Sequence, residues 1–150
     1  MKNIIKSILK YLILFVFGGI VYYLIEMCWR GYSHWTMFLL GGACFVSVGL
    51  INNIFSWKMP LEIQAVVGAV LITLLELIVG LIVNVKLGWN VWDYSDLPLN
   101  FMGQICLPFS VLWCILSTII IIVDDKIRYK FFNERSPIYT TIIGKHIFLR

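Results

Sequence analysis

One carboxylate stands alone in a long apolar run. Residues 63–85 carry a single charged side chain, Glu76, in a stretch made mostly of Leu, Ile and Val. On a helix, Glu76 lies about nine residues below the outer end, roughly 14 Å deep at ~1.5 Å per residue. A charged carboxylate held at that depth in a bilayer costs at least ~2.5 kcal/mol on insertion scales. It must take up a proton or draw hydrogen bonds from polar groups on other segments. Either solution suits proton or cation handling, which makes Glu76 the first candidate for chemistry. The alternative is a neutral, hydrogen-bonded structural acid.

A second set of polar residues clusters at segment ends. Glu26 and Arg30 are i,i+4 and can form an ion pair. His34 and Trp35 open the next apolar run, and Asn84 closes the one that holds Glu76. Trp92, Asp93, Tyr94, Ser95 and Asp96 lie in the following loop, with Asn100 and Gln104 beyond it. Pro108 removes a backbone donor one turn deeper, which invites a kink or an opened helix turn. The candidate set for binding a solute or handling a proton is therefore Glu26, Arg30, His34, Glu76, Asn84, Trp92, Asp93, Tyr94, Ser95 and Gln104. If these residues form one site, the loop must pack into the bundle mouth and bring Asp93 and Tyr94 near Arg30 and Gln104. The competing reading is an interfacial cap held by Arg30–carboxylate pairs and by Tyr and Trp donors.

Other chemistries lack their signatures. There is no G-x-x-x-x-G-K-[ST], so the chain has no P-loop of its own for ATP hydrolysis. Neither H-E-x-x-H nor a nucleophile elbow occurs, and no catalytic residue is assigned. Cys28, Cys44, Cys106 and Cys114 form no C-x-x-C pair, and each sits in or beside an apolar run. They read as small packing residues, with a Cys28–Cys106 disulfide as the other option. No spacing supports a metal, and nothing calls for a cofactor.

The elements that must position these residues follow from composition. The 150 residues are 61% hydrophobic and only 13% charged, and mean hydropathy is +0.91. This excludes a cytosolic globule, a disordered chain and a disulfide scaffold, and leaves an integral membrane protein embedded in a lipid bilayer. The basic residues flank apolar runs rather than forming a patch, so the net charge of +4 is a topology signal and not a nucleic-acid footprint. The uncharged stretches predict an all-α bundle of four transmembrane helices, at about 8–28, 34–55, 61–85 and 102–123, with an outer loop before the fourth.

An even number of spans puts both termini on one side. Placing them in the cytoplasm keeps ten of the twelve cations inside, among them Lys2, Lys6, Lys10, Lys58, Lys126, Arg128 and Lys130. Only Arg30 and Lys86 are then exported. No small-x-small site follows the first run, so it reads as a retained helix. Pro60 starts the third helix after a short turn. The expected organisation is a transmembrane domain over 1–132 and a cytoplasmic basic tail over 133–150. The tail is too short to span and would lie on the inner surface or pack on a partner.

Polar and small residues form stripes. Glu62, Ala65, Ala69, Thr73, Glu76, Gly80 and Asn84 recur at a mean spacing of about 3.7 and share one helix face. Gly103, Ser110, Cys114, Ser117 and Asp124 mark the fourth helix, Gly19, Tyr22, Glu26 and Arg30 the first, and Gly41, Gly42 and Gly49 the second. Such stripes argue for close packing within one bundle.

At this level the residues resemble a known family. Glu26-Met-Cys-Trp-Arg30-Gly31-Tyr-Ser33-His34-Trp35-Thr36, Gly41-Gly42 and Gly49-Leu-Ile-Asn52 resemble the first half of the ABC-transporter type IV (CmpB-like) membrane proteins. Pro60, Gln64, Ile72-Thr73, Glu76, Gly80-Leu-Ile-Val-Asn84 and Val91-Trp92-Asp93-Tyr94-Ser95 extend the likeness, as do Gly103-Gln104-Ile-Cys106-Leu107 and Phe109-Ser110. It covers roughly 18–123 and leaves out the tail after about 132. Asn53 stands where the resemblance leads one to expect an acidic residue. The resemblance implies a small bacterial polytopic membrane protein of permease type.

Three functions are compatible with these residues. The first is a permease-like transporter subunit that binds a small solute or protons from the outer face. Four helices are few for a pathway, so a homo-oligomer or a separate ATPase or transport subunit is then implied. The second is a structural or sensory accessory protein, which predicts that Glu76→Gln and Asp93→Asn function normally. The third is an intramembrane enzyme on a lipid or envelope substrate, with Glu26, Arg30, His34 and Asp93 as acid, base and anion clamp.

Overall fold

The computed structural model describes residues 2–55, 58–144 and 146–148. Ser56 and Trp57, just beyond the expected second span, lie outside the described residues, as do Lys145, Leu149 and Arg150 of the tail.

Four helical segments are long and apolar enough to cross a membrane. Helix α1 (Lys2–Arg30) is one continuous rod. Helix α2 (Trp35–Gly49) opens on His34, whose ring accepts from the Thr36 N–H, and a short turn, α3 (Ile51–Ile54), continues the same span. Helix α4 (Leu61–Gly80) starts directly after Pro60 and runs into a π-helical turn, Leu81–Lys86. Strands β1 (Asn100–Phe101) and β2 (Ile105–Cys106) pair antiparallel just before helix α5 (Leu107–Phe132). A second antiparallel hairpin, β3 (Ile138–Thr140) with β4 (His146–Phe148), follows in the tail.

The fourth helix departs from expectation at both ends. It begins at Leu107 instead of about 102, because Met102 (φ 53°) and Gly103 (φ 67°) turn the β1–β2 hairpin in the left-handed region. Gly103 is therefore not on the helical stripe. A Cβ at Gly103 would sit 2.5 Å from Asp93 Oδ1, so the position is confined as well as left-handed. Pro108 falls in the first turn of α5, where its missing N–H costs no helical hydrogen bond, and no mid-helix break results. At its other end α5 continues past 123 to Phe132 and stops at Asn133, left-handed at φ 56°.

Charged residues continue that helix because they neutralise one another. Arg128 Nε lies 2.6 Å from Asp124 Oδ2 one turn back, and both side chains are almost fully buried. Arg128 Nη1 also donates to Asn53 Oδ1 at 2.9 Å, and its guanidinium lies over the Tyr11 ring. Arg128 is thus not the solvated flanking cation that its position in the sequence implied. Asp124 itself occupies the space left by Gly49 on α2.

The helices pack as two pairs, α1 on α2 and α4 on α5, with α2 also touching α4 and α5. The α1–α2 contact is backbone-close. Gly19 faces the Phe38 carbonyl and Gly42 faces the Phe15 carbonyl, and a Cβ on either would come within 2.6 Å of that oxygen. Between α4 and α5, Gly68 accommodates Ser117, and Thr73 donates to Ser110 at 3.1 Å. Ala65, Ala69, Glu76, Gly80 and Asn84 are buried, so the α4 stripe faces the bundle as its spacing required. Glu62 of that stripe is exposed and accepts from the Ile142 N–H of the tail.

The described part of the tail makes contacts with its own bundle. Tyr139 is 1% exposed and donates to Asp125 Oδ2 at 2.9 Å, and Lys10 pairs with Glu134 at 2.5 Å. Cys28, Cys44, Cys106 and Cys114 are all free, so the Cys28–Cys106 disulfide is absent.

Candidate functional site

Glu76 is 3% exposed and each of its carboxylate oxygens has a donor. The Tyr94 hydroxyl donates to Oε1 at 2.8 Å, and the Trp113 indole N–H donates to Oε2 at 3.0 Å. The three residues come from α4, the loop and α5, so the acid is satisfied only when those parts are assembled. Trp113 can only donate, whereas the Tyr94 hydroxyl can donate or accept. Burial first, and then the facing Glu76 carboxylate, hold the Tyr94 phenol far above its ordinary pKa. Tyr94 therefore stays protonated and is available as the donor.

The loop is locked into the bundle mouth by side chains of the expected set. Asn84, in the π turn, accepts from the Val91 N–H at 2.7 Å and donates to Gln104 Oε1 at 2.8 Å. The Trp92 indole donates to the Gln104 carbonyl at 3.0 Å. Gly80 leaves room for this packing, since a Cβ there would meet Gln104 Oε1 at 2.6 Å. Tyr94 N–H donates to the Gly103 carbonyl at 2.8 Å, which ties the loop to the β1–β2 turn. A π turn widens the helix by one residue per turn and often lies at sites of this kind.

Arg30 joins α1 to the same mouth. It pairs with Glu26 at 2.9 Å and donates to the Val91 carbonyl at 3.1 Å. Glu26 also accepts from the Ser33 hydroxyl at 2.5 Å. Glu26, Arg30, Glu76, Asn84, Trp92, Tyr94 and Gln104 thus share one end of the bundle, called here the loop end. Asp93, Ser95 and His34 stand apart from its interior. Asp93 is exposed and accepts from the Ser95 hydroxyl and N–H, which lower its pKa in that order. His34 caps α2 through Thr36 and lies against the Trp35 and Trp89 rings, 5.5 Å between centroids in each case.

Trp113 is the partner that the sequence reading missed. Its signal was present: an indole in the middle of an apolar span needs an acceptor there. A second missed cluster lies at the other end, where Asn52 donates to Asp125 at 2.7 Å beside Asp124, Arg128 and Tyr139.

Two adjoining cavities meet at Trp113. One, of about 280 Å³, is lined by Gly18, Tyr22, Cys44 and Glu76 among mostly apolar side chains. The other, of about 340 Å³, reaches toward the loop end past Tyr22, Ile25, Glu26, Arg30, Trp92 and Tyr94. Among the described residues no group of three or more His, Cys, Asp and Glu could hold a metal ion.

No curated protein and no solved structure matches this chain. A family match does exist, and it reaches through the tail that the resemblance had left out. Because it takes in residues 8–149 of the 150, and with them four helices able to cross a membrane, the chain belongs to the multi-pass membrane family described as Putative ABC-transporter type IV.

Proposed function

We propose that this protein is the membrane component of a transport system, and that Glu76 is the group that takes its proton or binds its small ligand. The carrying observation is the Glu76–Tyr94–Trp113 triad at the wall of a cavity. When Glu76 is ionised, both donors point at it. When a proton arrives on Oε1, the acid becomes a donor and the Tyr94 hydroxyl must turn to accept. The charge on Glu76 is thereby coupled to the loop that closes the bundle mouth. The cation distribution supports a loop end facing outward and cytoplasmic termini. With no P-loop in the sequence, any energy comes from a separate ATPase subunit or from an ion gradient, the remaining alternative being a carrier with no energy input.

A structural or sensory role is the second reading, favoured by the fact that both Glu76 oxygens are already satisfied. Infrared difference spectra of the reconstituted protein across a pH step separate the two. A carboxyl band that disappears in Glu76→Gln and persists in Glu62→Gln, with helical content unchanged, is the expected result. Identical wild-type and Glu76→Gln spectra would refute proton handling, leaving ligand binding and the structural role.

A further inference from the structure

We propose that the cleft between α1 and α5 binds an acyl chain of a bilayer phospholipid, with the phosphate seated at Arg30. This deepens the preceding reading, on which it rests for taking the Glu76 cavity as a ligand site, by naming the class of molecule that enters.

The two cavities share Tyr22, Ile25, Trp113, Leu116 and Ile119, so they form one continuous slot. Along α1 the slot runs from Phe17 to Arg30, which is about 20 Å of helix. One leaflet of the hydrocarbon core is about 15 Å thick, so a chain anchored with its phosphate at the Arg30 end would occupy most of the slot. Ile25 and Ile119, on facing walls, are 49% and 53% exposed, so the mouth opens sideways onto acyl tails. A polar solute would be poorly matched to these walls, which are hydrocarbon and aromatic over nearly their whole length.

The polar atoms sit at one end, as they would for an amphipathic ligand. Arg30 Nη1 is used by the Val91 carbonyl and Nη2 faces Glu26, while Nε finds no acceptor among the described residues. A phosphate oxygen would satisfy it with a charge-assisted hydrogen bond. Trp29, 84% exposed, flanks that end, as indoles do at headgroup depth, and the buried Trp92 forms part of its wall. Glu76 borders the apolar length of the slot with both oxygens already hydrogen-bonded, so a chain can pass it without stranding a polar atom.

The test uses the full chain in phosphatidylglycerol vesicles doped with a phospholipid that carries a photoactivatable diazirine in its acyl chain. Labelling is expected to concentrate on Ile25 and Ile119, and on the half-buried Leu116 between the walls, over Leu74 and Ile78, which are as exposed on α4 as Ile25 and Ile119 are on the slot. Leu116→Trp, which fills the slot, should cut the slot labelling about tenfold, equivalent to ~1.4 kcal/mol of binding. Arg30→Gln should weaken it as well. Uniform labelling of all exposed apolar faces, or no effect of Leu116→Trp in a folded protein, would overturn the slot; indifference to Arg30→Gln would overturn the phosphate seat. Glu76→Gln is expected to retain slot labelling while losing its carboxyl band. A missing enrichment in the wild type therefore defeats the lipid inference alone, and a missing carboxyl band defeats the proton reading alone.

Discussion

At the scale of single residues, the protein's central problem is an acid in hydrocarbon, and its answer is two donors on separate elements. Removing either leaves one oxygen of Glu76 buried without a partner, which costs about 1–3 kcal/mol. Tyr94→Phe is therefore expected to destabilise the protein by roughly that amount, and Trp113→Phe by at least as much because the indole also packs the cleft. Reversible unfolding in mixed micelles measures both. If Tyr94→Phe is as stable as wild type while Glu76 stays buried, the hydrogen bond carries no weight in the fold. Combining Tyr94→Phe and Trp113→Phe with Glu76→Leu should recover much of the loss, because neither the carboxylate nor the indole N–H that donates to it is then left stranded. The sequence displayed Glu76 and Tyr94 but not their contact, since nothing local relates residues on a helix to residues on a loop that folds back over it.

At the scale of elements, helix spacing is set by what the side chains leave out. Gly42 rests on the Phe15 carbonyl and Gly19 on the Phe38 carbonyl, so α1 and α2 approach at backbone distance. Gly42→Leu is expected to push the pair apart and cost ~1–3 kcal/mol or more through overpacking. An increased distance between spin labels on α1 and α2 reads the separation, and an unchanged distance would show that the pair can repack. The buried Asp124–Arg128 pair behaves differently. Arg128→Met strands a carboxylate and should cost about 3–5 kcal/mol, whereas Arg128→Met with Asp124→Leu should return close to wild type. A double variant as unstable as the single one would mean that the pair is needed for more than its own neutrality. Helical stripes were legible because 3.6-residue periodicity is a local property. The start of α5 was not, because Met102 and Gly103 had to turn left-handed before the helix began.

At the scale of the whole molecule, the bundle is closed at each end by a hairpin-bearing segment with a tyrosine on a carboxylate. Tyr94 meets Glu76 at the loop end, and Tyr139 meets Asp125 at the tail end. Burial, followed by the Asp125 charge, raises the Tyr139 pKa. The folded state thus favours the protonated phenol. Its contribution to docking is complete below the ordinary tyrosine value of ~10 and is lost as pH rises through the higher folded-state value. The protection factor at Thr140, which divides out the base-catalysed intrinsic rate, should fall in that alkaline window in wild type, and already at neutral pH in Tyr139→Phe. A protection factor independent of both would show that the hairpin is held by Pro137 and the Lys10–Glu134 pair instead.

Composition and apolar run length by themselves determined the class of this protein: a bilayer admits few architectures, and four uncharged stretches leave little choice beyond a helical bundle. The depth of Glu76 and the inward face of α4 followed from helical periodicity for the same reason. Only the tertiary structure decided which donors meet Glu76, that Asp93 looks outward, that Arg128 is buried and that α1 and α5 stand apart as a cleft. Those outcomes depend on contacts between residues distant in sequence, where the relative placement of whole elements, and not any local preference, fixes which polar atoms find each other.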